Sequence, residues 1–327
     1  MLRRIILMTT VRIVKNWDSP NIFRQTPECK GIWDGINFTL DAEQEYDYAI
    51  VFNNFMKTDT QITCPEANLW ALMQEPYESG FSDWMVEKHE VFHKVFTHHI
   101  PLNNSKYIPS HPAIPWHVNL TFDELIACKM PQKSKKLSGI VGEAMDLPGH
   151  IKRRLFLEYI QKDTSLELDL YGRKINYIEN KWNGLAPYKY SLAIENNSGP
   201  DCWTEKLADC FLSWTVPIYY GCTNLEKYFP KESFIQIDIT NPRESLVKIK
   251  TIINENNWEK YIPALEESRK LILYHYQFFP YFCELIRSQP VCQTEKKRII
   301  LPAYKRSRQA WMNRIKYKFR KKLGLLM

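Results

Sequence analysis

Short apolar runs separated by polar turns make up the first third of the chain. They lie in "RRIILMTT" near the N-terminus, "YDYAIVFN" (46–53), "NLWALMQEP" (68–76) and "VFHKVFTHHIPL" (91–102). Runs of four to eight residues rich in Ile, Val, Phe and Tyr, bounded by turn formers, are typical of strands in a sheet covered on both faces. Because the intervening segments are long enough for crossovers, the pattern predicts an α/β unit.

A basic, polar segment, "CKMPQKSKKLSG" (128–139), has no apolar period and is typical of an interdomain linker. After it strands and helices alternate, and the helix "GHIKRRLFLEYIQ" carries Leu155, Tyr159 and Ile160 at helical spacing. Strict alternation is typical of a parallel sheet with right-handed crossovers. We therefore predict two α/β domains facing a central cleft, followed by a tail. The predicted boundaries are 1–132, 133–294 and 295–327.

Charge adds a feature that the apolar pattern does not contain. The net charge is +7, yet the segment 296–327 alone holds twelve Lys or Arg and no acidic residue. The basic character therefore belongs to the tail, and the rest of the chain is mildly acidic. No run approaches the roughly 20 apolar residues that span a bilayer, and the apolar run near the N-terminus is too short for a signal peptide. On these grounds we expect a cytoplasmic protein. Its eight cysteines form no CxxC pair, and we expect them to be reduced thiols.

The tail also has an apolar period. Trp311, Ile315 and Phe319 recur at i, i+4 and i+8 among basic residues. This pattern predicts an amphipathic helix on an anionic membrane surface, so that the protein would be peripheral on the inner face of a membrane through residues 296–327. The alternatives are a tail that binds nucleic acid and a solvated extension. Of these partners we predict the membrane, and we do not expect the protein to bind nucleic acid.

The segment "ENNSGPDCWTEKLADCF" (195–211) runs from a predicted strand through a turn into a predicted helix. The turn lies at the carboxyl edge of the sheet, against a helix N-terminus whose free N–H groups favour an anion. Lys206 in the first turn adds a full positive charge, so a phosphate or diphosphate is the expected ligand. Glu205 would accept hydrogen bonds from hydroxyls such as those of a ribose. Alternatively, Glu205 only suits the helix dipole and Lys206 is solvated.

The residues of this region carry a resemblance to a known family. "YKYSLAIENNSGPDCWTEKLADCFLSWTVPIYYG" followed by "FPKESFIQID" resembles the signature of the α-1,3/4-fucosyltransferases of glycosyltransferase family 10, which runs YK(F/Y)xLxFEN, (V/I)TEK, TVPxxxG and PxSFIxxxD. The resemblance implies a GT-B fold, in which the first Rossmann-like domain binds the acceptor and the second binds the donor, GDP-fucose. It implies that Lys206 contacts the donor diphosphate, that Glu205 contacts the ribose, and that Asn196 lies close to the donor.

Two further donor contacts are implied by the resemblance. The family has an arginine on the first helix of the donor domain, and Arg153 fits best because Phe156 then matches an aromatic residue three positions on; Arg154 is the alternative. The position before the (V/I)TEK block is usually a tyrosine that contacts the donor, but here it is Cys202. Trp203 could take its place by stacking on the nucleotide.

An inverting displacement needs a general base that takes the proton of the acceptor hydroxyl as it attacks. Glu75 is our candidate, because it ends an apolar strand of the first domain and the family places its base glutamate in an equivalent setting. Asp83, Glu87 and Glu90 are rivals in more polar surroundings.

Side chains near the ends of the first domain's strands are candidates for contacts with acceptor sugars, because sugars stack on apolar ring faces. The candidates are His98, His99, Tyr77 and Trp84.

The sequence thus predicts an inverting enzyme that transfers L-fucose from GDP-fucose to a hydroxyl of an N-acetylglucosamine-containing glycan, in α-1,3 or α-1,4 linkage. The chain has no DxD triplet for a metal clamp. Lys206, Arg153 and the helix end can neutralise the diphosphate, so we expect no metal site and no cofactor, although a divalent metal is compatible with the scheme. The alternatives are a transferase of this fold with another nucleotide sugar and a non-catalytic glycan-binding relative.

Overall fold

The computed structural model of the chain describes residues 8–101, 103–290 and 295–326. In chain order its strands and α-helices are β1 (Thr9–Val14), β2 (Ile32–Trp33), β3 (Ile36–Thr39), β4 (Tyr48–Phe52), β5 (Thr60–Cys64), β6 (Leu69–Leu72), β7 (Lys94–Thr97), β8 (Tyr107–Pro109), α1 (Phe122–Ala127), β9 (Lys135–Ile140), α2 (Pro148–Ile160), β10 (Leu168–Tyr171), β11 (Tyr188–Gly199), α3 (Glu205–Leu212), β12 (Val216–Cys222), β13 (Ile235–Gln236), α4 (Pro242–Glu255), α5 (Ile262–Leu271), α6 (Phe278–Arg287), β14 (Lys297–Leu301) and α7 (Arg308–Lys322). A π-helical turn, Ile272–Tyr276, joins α5 to α6.

The chain divides into two compact units. Unit 1 contains the described residues of 1–113, 121–123 and 277–315, and unit 2 contains those of 114–120, 124–276 and 316–327.

Unit 1 is built on a seven-stranded sheet in the order β2-β3-β1-β4-β6-β7-β8. All its pairings are parallel except that of β2 with β3. The central strand β4 is buried along its whole length, as its uninterrupted apolar sequence predicts. The predicted strands in 46–53, 68–76 and 91–102 are confirmed as β4, β6 and β7. The first predicted strand begins only at Thr9, and residues 1–7 and 102 lie outside the described residues.

Helix α6 covers one face of this sheet. Phe278, Phe279 and Phe282 are fully buried, and the Phe278 ring lies 4.9 Å from that of Phe52 and 5.8 Å from that of Phe38. Because these rings bury against strands of unit 1, residues 277–290 pack with unit 1. This corrects the predicted second domain, 133–294, for residues 277–290.

The other face of the sheet receives part of the predicted tail. Strand β14 pairs antiparallel with β5, with Ile299 opposite Ile62, and Leu301 is buried in the core. The segment 295–327 is therefore not a single amphipathic extension, because its first part completes a two-stranded ribbon. The predicted helix follows as α7.

Unit 2 is built on a parallel five-stranded sheet in the order β10-β9-β11-β12-β13. The predicted alternation of strand and helix is confirmed, but β9 begins at Lys135, inside the predicted linker. Helix α2 has the predicted span and buries a different face: Leu155 and Tyr159 are exposed, whereas Phe156 and Ile160 are buried. Leu155 and Tyr159 have helical spacing, but the buried face of α2 runs through Arg153 and Phe156. Leu155 and Tyr159 therefore lie on the opposite side of the helix.

We expect Phe278→Ala to lower the free energy of unfolding by about 3–5 kcal/mol, because it removes a fully buried ring from the core under α6. Urea unfolding of the full chain followed by circular dichroism is the measurement. Phe319→Ala is the matched control, since that ring is 63% exposed and its loss should change stability by less than about 0.5 kcal/mol. Equal losses in both variants would contradict the assignment of α6 to the core of unit 1.

Candidate active site

A pocket of about 620 Å³ opens in unit 2 at the carboxyl ends of β9, β10 and β11. Ligands of open parallel sheets bind at this edge. Five of the charged or amide side chains that line it are Arg153, Lys181, Asn196, Glu205 and Lys206. The full lining holds four cations, with Arg173 as the fourth, and three carboxylates, with Glu143 and Glu179 beside Glu205. Cationic side chains are thus available on this concave surface to an anionic ligand.

The position of Lys206 is determined by a carboxylate behind the pocket. Glu195, near the end of β11, is 1% exposed, and its Oε2 lies 3.2 Å from Lys206 Nζ. Thr204 donates to the same carboxylate from its backbone N–H (2.8 Å) and its hydroxyl (2.7 Å). Burial raises the pKa of Glu195, and the ammonium of Lys206 offsets part of that shift. For Lys206, burial opposes the charge, but Glu195 and Glu205 outweigh it and raise the pKa above its ordinary value.

A glycine makes room for this carboxylate. A Cβ on Gly221 would lie 2.4 Å from Glu195 Cγ, and the φ angle of +153° is one that L side chains rarely adopt. Strand β12 can therefore run close beside Glu195 only because position 221 has no side chain.

Thr204 starts helix α3 by accepting from the backbone N–H of Lys206, which places Glu205 in the first turn. Glu205 Oε1 lies 3.2 Å from Lys206 Nζ and 3.9 Å from Lys181 Nζ, and His117 Nδ1 is 4.0 Å away. Burial acts to raise the pKa of Glu205, but these neighbours outweigh it and hold the pKa well below its ordinary value. Glu205 is thus a carboxylate at the pocket wall, suited to accept hydrogen bonds from hydroxyls.

Two of these neighbours, Lys181 and His117, were missed by the sequence analysis. Asp209, on the second turn of α3, holds both: its carboxylate lies 3.1 Å from Lys181 Nζ and accepts from the His117 backbone N–H at 2.7 Å. Asn180 joins the same segments by accepting from the N–H groups of Asn119 and Trp182. The only signal in the sequence was Asp209, an acidic residue between Ala208 and Cys210 in the predicted amphipathic helix.

Helix α2 supplies the third cation. Arg153 is 5% exposed and donates to Asn196 Oδ1 at 2.5 Å, whereas Arg154 lies on the outer face and pairs with Glu158. The helix start lies against β11: a Cβ on Gly149 would be 1.7 Å from the carbonyl oxygen of Asn196. Of the two predicted arginines, the structure brings Arg153 to Lys206 and Asn196.

Cys202 and Trp203 do not reach the pocket. Trp203 is 3% exposed, and its ring packs among those of Tyr228, Phe229 and Tyr276. Cys202 is 4% exposed, and burial raises the pKa of its thiol to about 12. The predicted stacking of Trp203 on a nucleotide is corrected, because the ring belongs to an aromatic cluster in the core of unit 2.

The predicted base lies in unit 1. Glu75 is exposed and follows β6, at the carboxyl edge of its sheet. The preceding residue, Gln74, is fixed from both sides: its N–H donates to Asn53 Oδ1 at 2.7 Å, and its amide donates to the carbonyl of Pro112. The chain thus leaves the sheet at a defined point and presents Glu75 outward.

Two of the predicted acceptor contacts meet near Glu75. The rings of Tyr77 and His99 stack with centroids 4.5 Å apart, because the loops after β6 and β7 leave the same sheet edge. His98 is 9% exposed beside them. Trp84, by contrast, is a core residue that packs on Phe55, which corrects its placement at a surface.

The rival bases are engaged elsewhere or remote from that edge. Asp83 is 2% exposed and accepts from the N–H of Gly80, and Glu87 accepts from the Tyr304 hydroxyl at 2.7 Å. Glu90 is exposed in the loop before β7. Within the described residues, no group of three or more His, Cys, Asp or Glu side chains is arranged to hold a metal ion.

The family model for "Glycosyltransferase family 10 (fucosyltransferase) C-term" matches residues 130–297, just over half of the chain. Alpha-(1,3)-fucosyltransferase FucT of Helicobacter pylori is 35% identical over 92 residues, which are 28% of this chain and 19% of that protein. The human 4-galactosyl-N-acetylglucosaminide 3-alpha-L-fucosyltransferase 9 is 29% identical over 134 residues, 39% of this chain and 36% of that protein.

The chain therefore spans about a third or less of the length of the curated relatives it matches. Among solved structures, an alpha1,3-fucosyltransferase with GDP aligns with a TM-score of 0.50 at 16% identity, covering 98% of this chain and 92% of the other. That likeness concerns the fold, which is GT-B.

We expect Arg153→Ala to weaken the affinity for GDP about 10- to 100-fold, because it removes a charged donor from the pocket wall. Isothermal titration calorimetry on the full chain is the measurement. Arg154→Ala is the matched control, since that side chain points away from the pocket, and it should bind GDP as the unaltered chain does. A loss confined to the Arg154 variant would contradict this description of the pocket.

Proposed function

The chain belongs to glycosyltransferase family 10, and from this membership we propose that it is an inverting fucosyltransferase that uses GDP-fucose. The observation that carries the proposal is the pocket of unit 2, which Arg153, Lys181, Lys206 and the carboxylate of Glu205 line beside the first turn of α3. A nucleoside diphosphate presents the complementary groups, a doubly charged diphosphate and a ribose diol.

In this proposal Lys206, Arg153 and the N-terminus of α3 bind the diphosphate. Both cations are held by neighbours on the protein, so they are in place before the donor arrives and stabilise the charge that develops on the leaving diphosphate. Glu205 accepts hydrogen bonds from the ribose hydroxyls, and Asn196 lies towards the sugar. Neutralisation by these groups is our reason to propose that no metal or other cofactor is needed, although a divalent metal remains compatible.

The proposed reaction is a single displacement. The acceptor hydroxyl oxygen attacks the anomeric carbon of fucose, the bond from that carbon to the β-phosphate oxygen breaks, and GDP leaves with the bonding electrons. Glu75 takes the hydroxyl proton as the new bond forms. Tyr77, His99 and His98 would contact the acceptor, which we propose to be a glycan containing N-acetylglucosamine, in α-1,3 or α-1,4 linkage. The relative named for 4-galactosyl-N-acetylglucosaminide supports that class of acceptor.

Donor choice is tested by GDP release with N-acetyllactosamine as acceptor. We expect turnover with GDP-fucose and at most traces with GDP-mannose or UDP-sugars. Turnover with another nucleotide sugar instead would favour the alternative donor. Binding of glycan without release of any nucleotide would favour a non-catalytic relative.

We expect Glu75→Gln to lower kcat by about 10²- to 10⁴-fold, because the amide cannot take the proton of the acceptor hydroxyl. GDP affinity should stay within about twofold, since the donor groups are unchanged. Glu90→Gln is the matched control, with the same change of charge at an exposed position, and should keep its turnover. Full turnover in the Glu75 variant would assign the base to another residue.

We also propose that α7 binds an anionic membrane surface, on the cytoplasmic face where anionic lipids are enriched. Trp311, Ile315 and Phe319 are 58%, 45% and 63% exposed on one side of α7, while Ala310 and Tyr317 are buried on another. The apolar stripe predicted from the sequence therefore faces solvent, among the twelve basic residues of 296–322. Within the described part of the chain, no helix has the length and apolarity to cross a bilayer.

We expect replacement of Trp311, Ile315 and Phe319 by Ser to reduce co-sedimentation with phosphatidylserine-containing vesicles at least about tenfold, because each buried apolar group contributes about 1.5–3 kcal/mol. Leu155→Ser with Val247→Ser is the control, since both side chains are exposed on other helices. Binding that survives the triple replacement, or that is equal on uncharged phosphatidylcholine vesicles, would remove the membrane proposal.

A further inference from the structure

His150 lines the same pocket and has no role in the scheme above. It lies in the first turn of α2, three residues before Arg153, and is 7% exposed. Its Nδ1 accepts from the backbone N–H of Leu147 at 3.2 Å, which closes the start of the helix. A ring nitrogen that accepts from an N–H carries no proton, so the proton of the neutral ring is on Nε2.

Among the described residues no hydrogen bond engages Nε2–H, and the residue as a whole is 7% exposed. The ring edge that remains open borders the pocket. An N–H donor that faces a pocket can donate to a ligand there in place of water.

The ring stays neutral at physiological pH. Burial lowers the pKa of His150 to about 4; Arg153 and, more weakly, Lys206 act in the same direction, and Asp146 opposes them. His150 is therefore a fixed N–H donor and not a cation. This distinguishes it from Arg153 and Lys206, whose charges attract any anion.

The backbone adds further donors at the same place. The first N–H groups of a helix point out of its N-terminus, and α2 has thirteen residues, enough to carry a dipole. Gly149 brings this end of α2 against the backbone of Asn196, which follows Glu195 in β11. The N-terminus of α2 and that of α3 thus border one pocket.

We propose that His150 is a specificity-determining residue that donates Nε2–H to an oxygen of the donor diphosphate, so that one phosphate is bound at the start of α2 and the other at the start of α3. The proposal rests on the proposed function and deepens it, because it explains how the pocket would distinguish a diphosphate from a single phosphate.

Two variants separate the two nitrogens of the ring. In His150→Asn the side-chain oxygen takes the place of Nδ1 and keeps the bond to Leu147, but nothing replaces Nε2–H. In His150→Gln the longer side chain returns an N–H near the position of Nε2 and loses the bond to Leu147. Calorimetric titration of the full chain with GDP, GMP and inorganic pyrophosphate gives the affinities, and urea unfolding without ligand reports the helix start.

We expect His150→Asn to bind GDP and pyrophosphate about tenfold or more weakly, with a loss for GMP that is at least about threefold smaller. His150→Gln should recover most of the affinity for GDP while being the less stable of the two variants. Unchanged binding of GDP by His150→Asn, or equal losses in both variants, would overturn the role of Nε2–H. If the unaltered chain binds pyrophosphate but not GDP, the proposed function fails while the anion site stands.

Discussion

The ion pair between Glu195 and Lys206 is the interaction on which the geometry of the pocket depends. A carboxylate that is 1% exposed is stable only when it is paired and hydrogen-bonded, and Lys206 and Thr204 meet that requirement. The same contacts fix where α3 begins, because Thr204 is its capping residue. One buried charge therefore sets both the position of a cation and the direction of a helix N-terminus. The bare backbone of Gly221 is what allows β12 to lie beside it.

The remaining features of the pocket extend from this pair. Glu205 follows Thr204 into the first turn, and Asp209 one turn later brings in Lys181 and His117. Asn196, next to Glu195 in β11, holds Arg153 and meets the start of α2 at Gly149. The charged groups are thus held in place by the protein itself, which is the condition for strong electrostatic stabilisation of a ligand or of a transition state.

Much of the fold could be predicted from the sequence because strands buried on both faces are continuous apolar runs, and β4 and β6 are of that kind. The packing of α6 and β14 into unit 1 could not be predicted, because the apolar face of a helix or strand does not indicate which sheet or strand it will pack against. The position of Trp203 in the motif suggested that it stacks on the nucleotide, but its ring packs in a core cluster. Lys181, His117 and His150 were missed because they come from segments far from the central motif, and only the folded chain brings them to it.

The most direct test of this account is a crystal structure of the chain with GDP. We predict diphosphate oxygens within about 3 Å of the side-chain nitrogens of Lys206 and Arg153, and ribose hydroxyls at Glu205. GDP bound outside the pocket of unit 2, or bound there with its diphosphate turned away from Lys206, would contradict the central claim that the Glu195–Lys206 pair prepares a diphosphate site.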